Sequence, residues 1–141
     1  MGEGNRETLD RIYEGWERGD FSVGVADFAP DATLVIDPEI PDAGEYDGLE
    51  GIRHYMTHFL SAWESLRIRA QSFREAGDDT VLVRVAQNGI GQGSGAPATL
   101  NYFHIWTFRD DGKVIRLESI LREAKALESA GLSEDQEPKP E

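Results

Sequence analysis

The 141-residue sequence predicts an α+β fold, with helices laid on one face of a strongly curved, mostly antiparallel sheet. Three observations carry that reading. Apolar residues recur at helical spacing in the first half of the chain and at a period of two from about residue 66 onward, and the two patterns are segregated. The length supports one domain. A chain of this size buries an ordinary core without disulfide or metal staples.

Element by element, Leu9, Ile12, Tyr13 and Trp16 share one face of a helix over about 5–18, which Gly19 can end in a left-handed residue. A short second helix, about 22–28, gathers Phe21, Val25 and Phe28 and stops before Pro30. Ala32–Ile36 is β-branched and apolar, hence a strand. Residues 37–48 hold Pro38, Pro41, Gly44, Gly48 and five acids, which is loop composition. Asp47 and Glu50 make a capping-box-like start to a third helix reaching about Glu64, striped by Ile52, Tyr55, Met56, Phe59 and Trp63.

Leu66–Ala76, Thr80–Gly89, Thr99–Arg109 and Lys113–Glu123 then read as four long strands. Turns stand at Gly77-Asp78-Asp79 and Asp110-Asp111-Gly112, and Gly89–Pro97 is a longer glycine-rich connection. A final short helix covers about Arg122–Ser129. The domain is expected to occupy 1–128, with 129–141 an acidic, proline-containing disordered tail.

Composition narrows the function classes. Fourteen Lys+Arg against 27 Asp+Glu give a net charge of −13, the wrong sign for a nucleic-acid face. The charge is local: between Gly19 and Ile52 there is no Lys or Arg but nine acids, Asp20, Asp27, Asp31, Asp37, Glu39, Asp42, Glu45, Asp47 and Glu50. With no cysteine, disulfide frameworks, thiolate metal sites and thiol nucleophiles drop out. No apolar run nears the ~18 residues of a membrane span, and the N-terminus lacks a signal-peptide pattern. No membrane partner is expected, and the location is expected to be cytoplasmic.

Strand alternation decides most of the facing. In the last strand Arg116, Glu118, Ile120 and Arg122 form the charged, outer set, so Leu117 and Ser119 face inward. In Thr80–Gly89 the set Val81, Val83, Val85 and Gln87 is taken as inward. In Thr99–Arg109 both faces are apolar, and alternation leaves open whether Tyr102, His104, Trp106 and Phe108 or their neighbours face the core.

Several short motifs, in order, resemble the SnoaL-like branch of the nuclear transport factor 2-like superfamily, which includes ketosteroid isomerase. They are Ile12-Tyr13-Glu14-Gly15-Trp16-Glu17-Arg18-Gly19-Asp20, Phe28-Ala29-Pro30-Asp31-Ala32-Thr33, Asp37-Pro38, Gly48-Leu49-Glu50-Gly51-Ile52-Arg53 and Phe108-Arg109-Asp110-Asp111-Gly112-Lys113-Val114. The resemblance spans residues 5 to about 123. It implies a cystatin-like cone, a strongly curved sheet covered by three N-terminal helices, and a homodimer formed through the outer sheet face. It also turns the His104 face inward.

The resemblance puts His104 where ketosteroid isomerase has the protonated acid of its oxyanion hole, so His104 can donate to a ligand carbonyl or act as acid/base. It puts Asp37 at the general base, able to move a proton α to a carbonyl. The alternatives are a core histidine satisfied by tyrosine or backbone partners, and an aspartate that merely opens a surface loop. Three departures bear on the reaction. The Phe28–Asp37 spacing is one residue longer than the family pattern, which without a bulge turns Ile36 to the site. Ile12 stands at the isomerase's oxyanion tyrosine, with Tyr13 one position on, and Ser119 stands at the cyclases' acid/base aspartate. Steroid isomerisation and the polyketide cyclase reaction are therefore not expected.

A hydrophobic small molecule is the expected partner, in a pocket of Trp16, Tyr55, Trp63, Val83, Val85, Gln87, Tyr102, Trp106, Leu117 and Ser119. Acid/base isomerisation, cyclisation or hydration of a neutral organic substrate is one outcome. A noncatalytic binding or interaction domain is the other, and a third is protein binding through Arg84, Arg116, Glu118 and Arg122. No cofactor or metal is expected: His54 and His58 share a helix face with Glu50 but find no third ligand. The glycine run 89–95 lacks the Lys-Ser/Thr and the helix of a phosphate loop. The acids from Asp37 to Glu50 are expected to rim the cone's mouth.

Overall fold

The computed structural model describes residues 2–132. Helix α1 (Gly2–Glu17) is followed by a 3-10 turn (Val25–Asp27), β1 (Phe28–Ile36), β2 (Gly44–Asp47), α2 (Gly48–Ser61), β3 (Trp63–Glu75), β4 (Thr80–Gly91), β5 (Pro97–Phe108), β6 (Val114–Ile120) and α3 (Glu123–Ser129). One six-stranded sheet runs β2-β1-β6-β5-β4-β3. Every neighbouring pair is antiparallel except β1 with β6. The fold class is α+β, as the segregated periodicities predict.

Two expectations are corrected. The second N-terminal helix is only the 3-10 turn, because Gly24 stands at φ 103°, a left-handed conformation that interrupts a helix. The 37–48 segment is not all loop. Gly44–Asp47 adds the edge strand β2, pairing Thr33 with Asp47 and Ile36 with Gly44. The expected tail divides at residue 132: Ala130 and Leu132 pack on the outer side of the sheet, and 133–141 lie outside the described residues.

Register shifts bend the sheet at Trp63/Ser65 and Ala70/Ser72 on β3 and at Thr107/Phe108 on β5, where an extra residue on one strand increases local twist. The inner face takes α1 and α2. Leu9, Ile12, Tyr13 and Trp16 of α1 and Ile52 and Tyr55 of α2 join Leu34, Ile36, Ile68, Val81, Val83, Val85, Tyr102, Trp106 and Leu117 in the main core. Each large apolar side chain fully buried there contributes roughly 1.5–3 kcal/mol. On the outer face Leu82, Phe103, Ile105 and Ile120 form a second cluster, closed by Ala126 and Leu127 of α3. No described helix is long and apolar enough to cross a membrane.

Candidate functional site

The inner face leaves a cavity of about 640 Å³ between the sheet and α2. Its position follows from register. Ile36 pairs with Ser119, Ser119 with His104, and His104 with Val83, so these side chains form one row across four strands. Cross-strand neighbours on one face stand about 4.5–5.5 Å apart at Cβ. Ile36, Ser119 and His104 line the cavity, while Val83 does not.

Of the sequence-predicted pocket residues, Trp16, Tyr55, Trp63, Gln87, Tyr102, His104, Leu117 and Ser119 lie on the wall. Val83, Val85 and Trp106 do not, and are corrected to core. All three are fully buried with Leu9, Ile12 and Tyr13, because α1 is laid over that part of the inner face. Facing inward and facing the cavity are different conditions, and alternation reports only the first.

His104 is 3% exposed and surrounded by the rings of Tyr13, Trp16, Tyr102 and Trp106, all with centroids within 6.0 Å. Burial pushes its pKa down to about 3, so the ring is neutral at physiological pH. Its tautomer follows from a hydrogen-bond chain. Trp106 Nε1–H donates to the Tyr13 hydroxyl at 2.7 Å, and that hydroxyl stands 2.6 Å from His104 Nδ1. Burial raises the Tyr13 phenol well above its usual range, although the Trp106 bond works against that. The hydroxyl therefore keeps its proton. Among the described residues Nδ1 is the acceptor its own O–H meets, so we assign the hydroxyl as donor to that nitrogen. Nδ1 is then the unprotonated nitrogen and Nε2 carries the hydrogen. Sequence reasoning gave Tyr13 only a core role. The available signal was a phenol on the buried stripe of α1, since a buried tyrosine hydroxyl normally finds a partner.

The rest of the cavity's polar chemistry is sparse. Tyr102 Oη donates to Gln87 Oε1 at 2.8 Å, which leaves the Gln87 amide N–H groups for the cavity. Burial lifts the Tyr102 and Tyr55 phenols above the usual range, with Asp42 and Tyr46 adding to the effect at Tyr55. The wall along α2 is aromatic: Tyr46–Tyr55, Tyr55–Phe59 and Phe59–Trp63 are successive ring contacts at 4.8, 5.7 and 6.4 Å.

Asp37 is not at the wall. Its side chain is fully buried on the far side of β1's end, where Oδ1 accepts from Lys125 Nζ of α3 at 2.6 Å and Oδ2 from the Leu121 N–H at 3.2 Å. Burial works to raise its pKa, but the Lys125 hydrogen bond and charge, with the Leu121 and Glu39 N–H groups, outweigh it and hold the carboxyl below its ordinary value. The reason is register: with Ile36 paired to Ser119 on the cavity face, Asp37 must point the other way.

The acidic rim also shrinks. Glu39 pairs with Arg122 at 2.7 Å and Asp47 accepts from Thr33 Oγ1 at 3.3 Å. Asp42 alone of those acids lines the cavity, together with the exposed Arg53. Asp42 holds a left-handed backbone (φ 64°), its carbonyl takes the Tyr46 hydroxyl at 2.7 Å, and its carboxylate lies 3.6 Å from His58 Nε2. His54 and His58 gather no further ligands: among the described residues no group of three or more His, Asp or Glu could hold a metal ion.

Comparison with known proteins agrees with this architecture. TerC, crystallised with polyporic acid, is 27% identical and superposes with a TM-score of 0.71 over 91% of this chain and 98% of its own. A nuclear transport factor 2-like protein of unknown function from Burkholderia pseudomallei gives 0.73 at 21% identity, over 89% and 95% of the two chains. The epoxide hydrolase/cyclase-like enzyme SalBIII, with a role in pyran ring formation in the polyether salinomycin, gives 0.71 at 16%, over 86% and 93%. These last two similarities establish the fold alone. No curated protein matches. A model of the SnoaL-like domain matches residues 9–117, most of the chain, and on that match the protein belongs to the SnoaL-like domain family.

Proposed function

We propose that the cavity binds a neutral, largely apolar organic molecule and holds one of its oxygens, a carbonyl or ether-type acceptor, against His104 Nε2–H. The observation that carries this reading is the Trp106–Tyr13–His104 chain, which leaves a neutral N–H donor on the wall of an aromatic cavity. A donor in a water-poor site stabilises negative charge developing on the bound oxygen far better than it would in water. The reaction classes it suits are isomerisation, cyclisation and hydration. His104 supplies polarisation there, not a proton, because a histidine with a pKa of about 3 carries no imidazolium to donate near neutrality. The crystallisation of TerC, 27% identical, with polyporic acid supports an organic molecule as the ligand.

A second reading, a noncatalytic carrier, draws support from Asp37. Its carboxylate is turned to Lys125, and the carboxylate on the cavity lining, Asp42, is half-exposed and lies beside His58. Two finer elements belong to the same proposal: a cytoplasmic location, and a homodimer through the outer sheet face.

The test is a thermal-shift comparison of aromatic ketones with the hydrocarbons of the same shape, since selective binding raises the melting temperature. The ketones are expected to stabilise the protein more, and His104→Ala to erase the difference. Equal shifts for ketone and hydrocarbon, or a difference that survives His104→Ala, would overturn the assignment.

A further inference from the structure

The inner row of β4 reads Val81, Val83, Val85 and then Gln87. The three valines pack into the core and stay off the cavity lining, whereas Gln87 lies on it. The change from valine to glutamine therefore falls where the row leaves the core for the cavity. Gln87 is 6% exposed, and a carboxamide so placed is unfavourable unless its N–H and C=O groups find partners. An apolar side chain would serve packing alone.

Among the described residues the side chain of Gln87 has one hydrogen-bond partner, the Tyr102 hydroxyl, 2.8 Å from Oε1. The pair carries three hydrogens, two on the amide nitrogen and one on the phenol, against a single carbonyl. Either rotation of the amide leaves two of the three without a protein acceptor. With the phenol donating to Oε1, both are the Nε2 hydrogens. The amide nitrogen is also open to the cavity: Trp63 Nε1 on the same lining is fully enclosed, and Gln87 Nε2 is not. The phenol ring stands edge-on to His104, with centroids 5.2 Å apart, so Tyr102 separates two neutral donors. His104 is two residues from Tyr102 and four from Leu100, the residue paired with Gln87. At about 3.4 Å per residue the two donors are roughly 7–14 Å apart along the strand.

We propose that Gln87, oriented by Tyr102, selects ligands that carry a second oxygen acceptor: its Nε2 hydrogens take that oxygen while the carbonyl at the other end of the molecule meets His104. The ligand class narrows from one acceptor to two, carried on a neutral, apolar frame. A hydrocarbon at that end leaves both hydrogens unpaired in an apolar wall, a loss that a second oxygen removes. The inference rests on the binding mode proposed above and adds to it a second polar contact.

The experiment uses the full chain labelled with 15N at glutamine and histidine. Two diketones of different length, 1,4-diacetylbenzene and 4,4′-diacetylbiphenyl, are compared with the monoketones in which isopropyl replaces one acetyl group. With a hydrogen bond at each end, the two diketones bracket the separation of the donors. At least one diketone is expected to shift the Gln87 amide signal and the His104 ring signal together, and to bind about three- to tenfold tighter than its monoketone, the effect of one added hydrogen bond. In Gln87→Met, unbranched and of similar length but without N–H, that advantage should vanish. If ketones shift His104 but neither diketone moves the Gln87 amide or gains affinity, or if an advantage survives Gln87→Met, this inference is overturned and the binding mode stands. If no ketone shifts the His104 signal, the binding mode itself fails and this inference with it. Should Gln87→Met fail to fold, the amide signal of the unaltered protein still decides.

Discussion

The inner and outer faces of the sheet treat their buried polar side chains in opposite ways. On the inner face His104 is kept neutral among aromatic rings, bonded through Nδ1 to a phenol, with its ring on the cavity lining. Asp37, on the other side of the same sheet, is kept charged. Its carboxylate has 0% side-chain exposure, yet it is tied to the half-exposed Lys125 and to backbone N–H groups. Ser119 stands between the two regions: it pairs with His104 on one side and with Ile36 on the other, and its carbonyl takes the Asp37 N–H at 2.9 Å. A one-residue step along β1 thus separates a cavity wall from a helix anchor. A neutral, half-satisfied donor is useful to a ligand; a fully paired carboxylate is useful to the fold, here by fastening α3 over the outer cluster.

The contrast makes predictions of decreasing size. Tyr13→Phe removes the acceptor for Trp106 Nε1 and the donor to His104 Nδ1 at once. Each buried group left unpaired costs about 1–3 kcal/mol, so thermal unfolding should show the largest stability loss of these variants, and ketone affinity should fall with it as the His104 tautomer is released. Asp37→Asn should cost less than the two unpaired groups together, about 1.5–3 kcal/mol, the range for hydrogen bonds to a charged group. It should leave ketone affinity unchanged. A change in ligand affinity without a change in stability would reverse the roles assigned to these two residues.

Acid should separate the faces further. Because the folded value of His104 lies near 3 and the unfolded one near ~6.5, only the unfolded chain takes up this proton between those pH values. Stability therefore falls as pH drops through that window. The Asp37 contribution is fully present above about pH 4, the ordinary carboxylate range, and disappears only below it, as the depressed carboxyl is protonated.

Much of this was legible in the sequence. Alternation in the long strands places Gln87, Leu117 and Ser119 on the inner face, the family resemblance turns Tyr102 and His104 the same way, and all five reach the cavity. The short edge strand β2 was not legible, because its glycine, two acids and lone tyrosine are held by pairing with β1 and not by their own propensity. Trp106, Val83 and Val85 were misplaced since α1's coverage is a tertiary fact that no periodicity contains. The longer Phe28–Asp37 spacing raised the question of whether Ile36 or Asp37 faces the site; β1 carries a register irregularity between Phe28 and Thr33, and beyond it Ile36 pairs with Ser119 on the cavity face. Tyr13 was visible as a buried phenol, but the indole and imidazole it joins lie 93 and 91 residues away, beyond any local pattern.

The most direct test of the account is 15N NMR of the His104 ring in the ligand-free protein between pH 8 and pH 4. The account predicts one neutral species throughout, protonated at Nε2 and bare at Nδ1, with no titration in that range. A ring that titrates near pH 6.5, or one that carries its proton on Nδ1, would contradict it.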